Sequence, residues 1–173
     1  GQLVDNKIAR LNSPDNQTGP RHICFRPSGD IAYVINEQGM TISKLDYDGM
    51  NGRLERSQHI SSLPEGYTNE NGATAHIEVH PNGKWLYGSN RGHDSIVGMN
   101  IADNGSLTPS NFFSVPTSPR SFSIEATGNF LYCAGEAAGQ IRAFKINQNN
   151  GDLSPFSDYT VGNKPFWVMA ACL

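Results

Sequence analysis

Three segments of the 173-residue chain align without a gap: PRHICFRPSGDIAYVINE (20–37), TAHIEVHPNGKWLYGSNR (74–91) and PRSFSIEATGNFLYCAGE (119–136). A repeat of this kind constrains architecture before any single residue is interpreted, because each unit can bury its apolar face only against a neighbouring copy. The turn glycines Gly29, Gly83 and Gly128 lie 54 and 45 residues apart (83 − 29 and 128 − 83). Those spacings are in the range of a four-stranded propeller blade.

Each copy reads as β-strands with no helix. Before the turn glycine, apolar residues alternate: Ile23 and Phe25, Ile77 and Val79, Phe122 and Ile124. Period-two patterning with β-branched and aromatic residues predicts a half-buried strand. A second strand follows the turn (Ile31, Tyr33, Ile35; Trp85, Tyr87; Phe130, Tyr132), and a third carries Ile42, Leu45 and Tyr47 and their counterparts. A Gly-x-Leu corner comes next in each copy, at Gly52, Gly105 and Gly151, and a more polar fourth strand leaves it. Polar residues on that strand suit an outer edge, where they discourage unwanted pairing.

The expected fold is therefore all-β, a β-propeller of four-stranded antiparallel blades. Blades are expected at about 20–60, 74–115 and 119–161, preceded by an outer strand over 1–12 and followed by an inner strand over 164–173. Three blades do not close a ring comfortably, since propellers have four to eight. The expectation is part of a larger ring, completed by an N-terminal half or a second chain.

Composition narrows function mainly by exclusion. A net charge of −3 gives no basic footprint for nucleic acid, and no apolar run approaches a membrane span. Cys24, Cys133 and Cys172 show neither disulfide nor metal spacing; they read as small buried hydrophobes and favour a reducing cytoplasm. No metal-ligand cluster, nucleophile elbow or nucleotide fingerprint occurs, so neither metal nor cofactor is expected.

The site is sought where the repeats disagree. The start of the first strand and the end of the second share one rim of the channel. There the chain places Arg21, His22, Asn36 and Glu37, then Ala75, His76, Asn90 and Arg91, then Arg120, Ser121, Gly135 and Glu136. Scaffold requires the apolar frame to repeat, but not that Glu37, Arg91 and Glu136 occupy equivalent places with different signs. Arginine forks suit carboxylate or phosphate, and histidine moves protons near neutrality. Arg21, Arg91 and Arg120 also fit inter-blade ion pairs, and His76 reads foremost as a structural histidine. Asn36 and Asn90 suit turn hydrogen bonds, and His93-Asp94 suits a loop cap. An insertion of 9 residues (54 − 45) falls largely in 61–72, either a tolerated surface loop or one overhanging a binding face through Glu65 and Tyr67.

GPRH with the following Asn36-Glu37, LPEGYTNEN (63–71) and SNRGHDSI (89–96) resemble the lactonase-type seven-bladed propellers, which include 6-phosphogluconolactonases and carboxy-cis,cis-muconate cyclases. The resemblance spans essentially the whole chain and matches the C-terminal half of the family's ring, so about half of a seven-bladed propeller is expected. It implies that Arg21, Glu37 and Arg91 belong to the active site, with His22 and the 63–71 loop nearby. The family's further catalytic histidine lies upstream of the matched half. The expected activity is hydrolysis of a sugar lactone, most plausibly 6-phosphogluconolactone. Arg21, Arg91 and Arg120 would grip the anionic substrate, and Glu37, or His22 oriented by it, would act as base. A muconate cyclase and a non-catalytic binding propeller are the alternatives.

Overall fold

The computed structural model describes residues 11–15, 17–68 and 71–171. Twelve strands form three antiparallel sheets in simple up-and-down order. The first holds β1 (Pro20–Phe25), β2 (Ile31–Asn36), β3 (Thr41–Asp48) and β4 (Arg53–Ser61). The second holds β5 (Ala73–Val79), β6 (Trp85–Arg91), β7 (Ser95–Ile101) and β8 (Leu107–Ser114). The third holds β9 (Pro119–Ile124), β10 (Phe130–Gly135), β11 (Gln140–Ile146) and β12 (Leu153–Thr160). Contacts between sheets run from β1 to β5 and from β5 to β9, so these first strands are the inner edges around the channel. The fourth strands are the exposed outer edges, as their polarity requires.

The turn between the first and second strands is built identically three times. The amides of Gly29, Gly83 and Gly128 bond to the carbonyls of Arg26, His80 and Glu125, three residues back. Each glycine has a positive φ, between 72° and 77°.

Blades stack face to face through two apolar layers. Ile31, Tyr33, Ile35 and Ile42 of the first blade meet Ile77, Leu86, Val97 and Met99 of the second. Trp85, Tyr87 and Ile96 of the second meet Phe122, Leu131, Cys133 and Phe144 of the third. The middle blade is therefore buried on both sides, and β6 is buried almost throughout. Alternate burial, expected from the pattern, holds along β4 but not along β2, which is nearly all buried. Ile23 is 49% exposed, whereas its counterparts Ile77 and Phe122 are at 2% and 0%; Phe25 is 46% exposed. The difference is that no described blade packs against that side of β1. A groove of about 310 Å³ runs along this face, between Leu11, Pro14, Ile23, Val34, Leu45 and Leu54.

A tyrosine on the second strand of each of the first two blades locks the next blade's Gly-x-Leu corner. Tyr33 Oη donates to the Gly105 carbonyl at 2.8 Å, and Tyr87 Oη to the Gly151 carbonyl at 2.7 Å. Both bonds are buried. Replacing Tyr87 with phenylalanine is expected to cost about 1–2 kcal/mol by stranding that carbonyl. A thermal melt should read this as a fall of about 2–8 °C for a chain of this size; an unchanged melting temperature would show that the corner is held by packing alone.

The ends of the chain depart from the expected pattern. Residues 1–10 of the expected outer strand over 1–12 lie outside the described residues, and Leu11 and Asn12 are not in a strand. The inner strand expected over 164–173 is not formed within 164–171. A strand needs a ladder partner, and no strand among the described residues pairs with this segment. Instead it docks against the inner edges, with the Val168 amide donating to Ser121 Oγ at 3.2 Å.

Cys24 and Cys133 are free thiols whose pKa is pushed up by burial, that of Cys24 to about 12. Cys172 lies outside the described residues. No helix among the described residues is long and apolar enough to cross a membrane.

Candidate active site at the channel mouth

All three inner strands carry a bulge at their mouth end. In β1 the ladder steps from Pro20 to His22, and in β9 from Pro119 to Ser121, so Arg21 and Arg120 are left out of the pairing. In β5 it steps from Thr74 to Ile77, and the freed His76 amide bonds to Ser89 Oγ at 2.9 Å. A bulge bends its strand and re-aims the side chain beside it. Here it does so at equivalent positions of all three blades.

The re-aimed groups converge across the blade boundary. Glu37, just past β2, accepts a hydrogen bond from Arg91 Nη2 at the end of β6 and faces Arg21 Nε at 3.8 Å. Arg91 Nη2 also donates to the Thr74 carbonyl at 2.9 Å, and Arg21 Nη1 to the Ala75 carbonyl at 2.6 Å. Both guanidiniums thus span from one blade to the next. Arg91 Nε–H is buried with no acceptor among the described residues. Arg120 pairs within its own blade with Glu136 at 3.4 Å. Burial holds the Arg21 pKa below its ordinary value, with the charge of Glu37 opposing and those of Arg91 and Arg120 assisting. Three guanidiniums within one another's field favour an anion at this mouth.

The histidines form a second line. His22 Nδ1 lies 2.8 Å from His76 Nδ1, and His76 Nε2 lies 2.9 Å from Glu78 Oε1. Glu78 Oε2 accepts the Ile124 amide of the third blade at 2.8 Å. Arg21 Nη1 approaches His22 Nε2 at 2.9 Å. The His76 ring packs edge-on against Phe122 and Trp167, with centroids 4.9 and 5.7 Å away. Burial, then the positive charge of Arg21, then His76 lower the His22 pKa to about 4, with Glu37 opposing.

Most residues expected at the rim are there, with changed roles for some. His22 takes its orientation from His76 rather than from Glu37. Asn36 and Asn90 are buried and serve structure: Asn36 Nδ2 donates to Thr41 Oγ1, and Asn90 exchanges bonds with Ser62. Asp94 caps its own turn by accepting the Gly92 amide and also ties in the Ser118 amide. In the inserted loop, Tyr67 lies edge-on against His93 with centroids 4.5 Å apart, and Glu65 is exposed. That contact ties Tyr67 to the β6–β7 turn.

Glu78 escapes the sequence reading, although a signal for it exists. It stands where the other copies have Cys24 and Ser123. It is also the one acidic residue in the three inner strands. Among the described residues no group of three His, Cys, Asp or Glu is arranged to hold a metal.

Up-and-down four-stranded blades set side by side around a channel define part of a β-propeller, here with an arginine-rich mouth. The chain belongs to the family described as "Lactonase, 7-bladed beta-propeller", which it matches over residues 3–170. It is 36% identical to a 6-phosphogluconolactonase of Pectobacterium carotovorum, over 100% of this chain and 52% of that one. A structure from Lactobacillus plantarum superposes with a TM-score of 0.89 at 24% identity, covering 96% of this chain and 48% of its own. A putative 6-phosphogluconolactonase from Bacteroides fragilis superposes with a TM-score of 0.80 at 30% identity, covering 87% and 41%. The chain spans about half the length of the curated relatives it matches.

Proposed function

We propose that this chain carries one wall of the active site of a lactonase that hydrolyses 6-phosphogluconolactone, the rest of the ring coming from an N-terminal half or a second chain. The observation that carries the reading is the Arg21–Glu37–Arg91 cluster, drawn from two blades and set beside a neutral histidine. The names of the relatives support the substrate class.

In this reading Arg21 and Arg91, with Arg120 alongside, draw in the anionic substrate and face the oxyanion of the tetrahedral intermediate. Glu37 accepts from Arg91 and faces Arg21, so its part is to hold the guanidiniums across the blade boundary. His22 takes a proton from water while the oxygen attacks the lactone carbonyl carbon. The intermediate then collapses, the carbon–oxygen ring bond breaks, and His22 returns the proton to the departing alkoxide. Glu65 and Tyr67 sit at the same end of the blade, where the inserted loop borders substrate entry. The unpaired thiols Cys24 and Cys133 support a cytoplasmic setting.

Steady-state assays on 6-phosphogluconolactone test this directly. Turnover of carboxy-cis,cis-muconate instead, or of neither compound, would overturn it. The pH profile adds a specific expectation. With its pKa lowered from 6.5 to about 4, His22 stays neutral well into the acid range. The rate should therefore hold steady through pH 6.5 and fall only toward pH 4; an inflection near 6.5 would remove His22 as the base. Stability follows the same sign. Unfolded chain binds this proton between those two values, so the contribution of neutral His22 is complete above 6.5 and lost as pH falls toward 4.

A further inference from the structure

The hydrogen-bond line at the mouth has donors and acceptors that can be assigned from its Glu78 end. Glu78 Oε2 takes the Ile124 amide and Oε1 faces His76 Nε2 at 2.9 Å. A carboxylate only accepts, so His76 Nε2 carries a proton. At the other ring, Arg21 Nη1 lies 2.9 Å from His22 Nε2 and 3.3 Å from Nδ1, over the ring, so it selects neither nitrogen as the acceptor. Between them the two Nδ1 atoms are 2.8 Å apart and one must donate. With its Nε2 proton held toward Glu78, a neutral His76 has a bare Nδ1, so His22 Nδ1 carries the proton and donates it, which leaves the Nε2 of a neutral His22 bare.

We propose that His76 and Glu78 of the second blade are positioning residues that hold His22 of the first blade in its Nδ1–H tautomer, keeping Nε2 as the proton acceptor. This rests on the lactonase reading above for its chemical purpose, though not for its geometry. Once Nε2 takes a proton from water, the imidazolium keeps its Nδ1–H bond to His76, and the Glu78 carboxylate at the far end faces the new charge through the second ring. Arg21 Nη1 lies over the His22 ring in the resting chain while also bonding the Ala75 carbonyl, so an anion drawn onto Arg21 is held beside Nε2. The groups facing His22 are Arg21 on its own strand, His76 on β5, Glu37 beyond β2, and the uncharged Trp167 ring. Cys24 and Ser123, at the positions equivalent to Glu78, carry no carboxylate, so among the described residues this line occurs at the first blade boundary alone.

The test is the tautomer of His22, read by two-bond ¹H–¹⁵N correlation on the ¹⁵N-histidine-labelled intact protein, with His22→Asn used for assignment. The wild type should show the Nδ1–H form, and Glu78→Gln and His76→Phe should shift it toward Nε2–H. His76→Asn, whose amide oxygen keeps an acceptor near the Nδ1 position, should retain it. In the lactone assay Glu78→Gln should lower kcat by about 10- to 100-fold, within the range a general base contributes, with KM changed less than about 2-fold, as expected when only the transition state loses support. An Nε2–H tautomer in the wild type, or an unchanged one in both Glu78→Gln and His76→Phe, overturns the proposal. Wild-type protein without lactone turnover overturns the lactonase reading instead, and the tautomer still decides this one.

Discussion

Replacing Arg91 with alanine is expected to lower kcat/KM on 6-phosphogluconolactone by about 10²- to 10³-fold, the scale of losing one preorganised donor to an oxyanion. The geometry explains why so much rests on one side chain. Arg91 Nη2 bonds both Glu37 of the first blade and the Thr74 carbonyl of its own, while its Nε–H remains uncommitted. Removing it frees Glu37 to turn wholly onto Arg21, which withdraws a second guanidinium from substrate. Arg91→Lys should recover little, because an ammonium is a point charge and lacks the planar fork needed to hold these acceptors together. Steady-state kinetics on both variants check this. Activity within about 3-fold of wild type for Arg91→Ala would place the site elsewhere.

The largest expected stability effect is at Gly151. Its φ is 78°, and a Cβ there would meet the Trp85 ring at 2.7 Å. Left-handed backbone costs a residue with a side chain about 1–2 kcal/mol, and forcing an atom into a packed core about 1–3 more. Gly151→Ala should therefore destabilise by about 3 kcal/mol, or about 6–12 °C in melting temperature. Gly29 makes the control. Its φ is 77°, but nothing lies within 4 Å of the added atom. Gly29→Ala should lose only the backbone part. If the two variants melt together, the corner does not press on the preceding blade as the geometry requires.

Much of the fold can be read from residues alone because blade-forming information is local and repeated. The turn glycines, the alternation after them and the Gly-x-Leu corners recur three times, and each feature has one physical reading. The fate of 164–171 was less legible. Lys164-Pro165-Phe166-Trp167-Val168 has the composition of a first strand, yet a strand exists only with a ladder partner, and partners are not local. Likewise the apolar pattern of β1 does not reveal that Ile23 faces open space while its counterparts Ile77 and Phe122 are buried.

The candidate site divides along the same line. Charge divergence between copies pointed to Arg21, Glu37, Arg91 and Arg120, since a repeat preserves scaffold and has no reason to vary the sign of a rim residue. The same logic applied to the inner strands would have reached Glu78, which replaces Cys24 and Ser123 of the other copies. What no copy-by-copy comparison contains is the bulge beside Arg21, His76 and Arg120. All three copies carry it, so the alignment stays free of gaps and silent.

The chain's own pattern was thus enough for the strand order, the blade repeat and the rim on which charge collects, because these follow from period, turn chemistry and topology. Which rim residues touch each other was settled by packing. Stacked blades bring Glu37 to Arg91 and His22 to His76 across 54 residues of sequence, and a contact between neighbouring copies is a property of how they stack, not of either copy's residues.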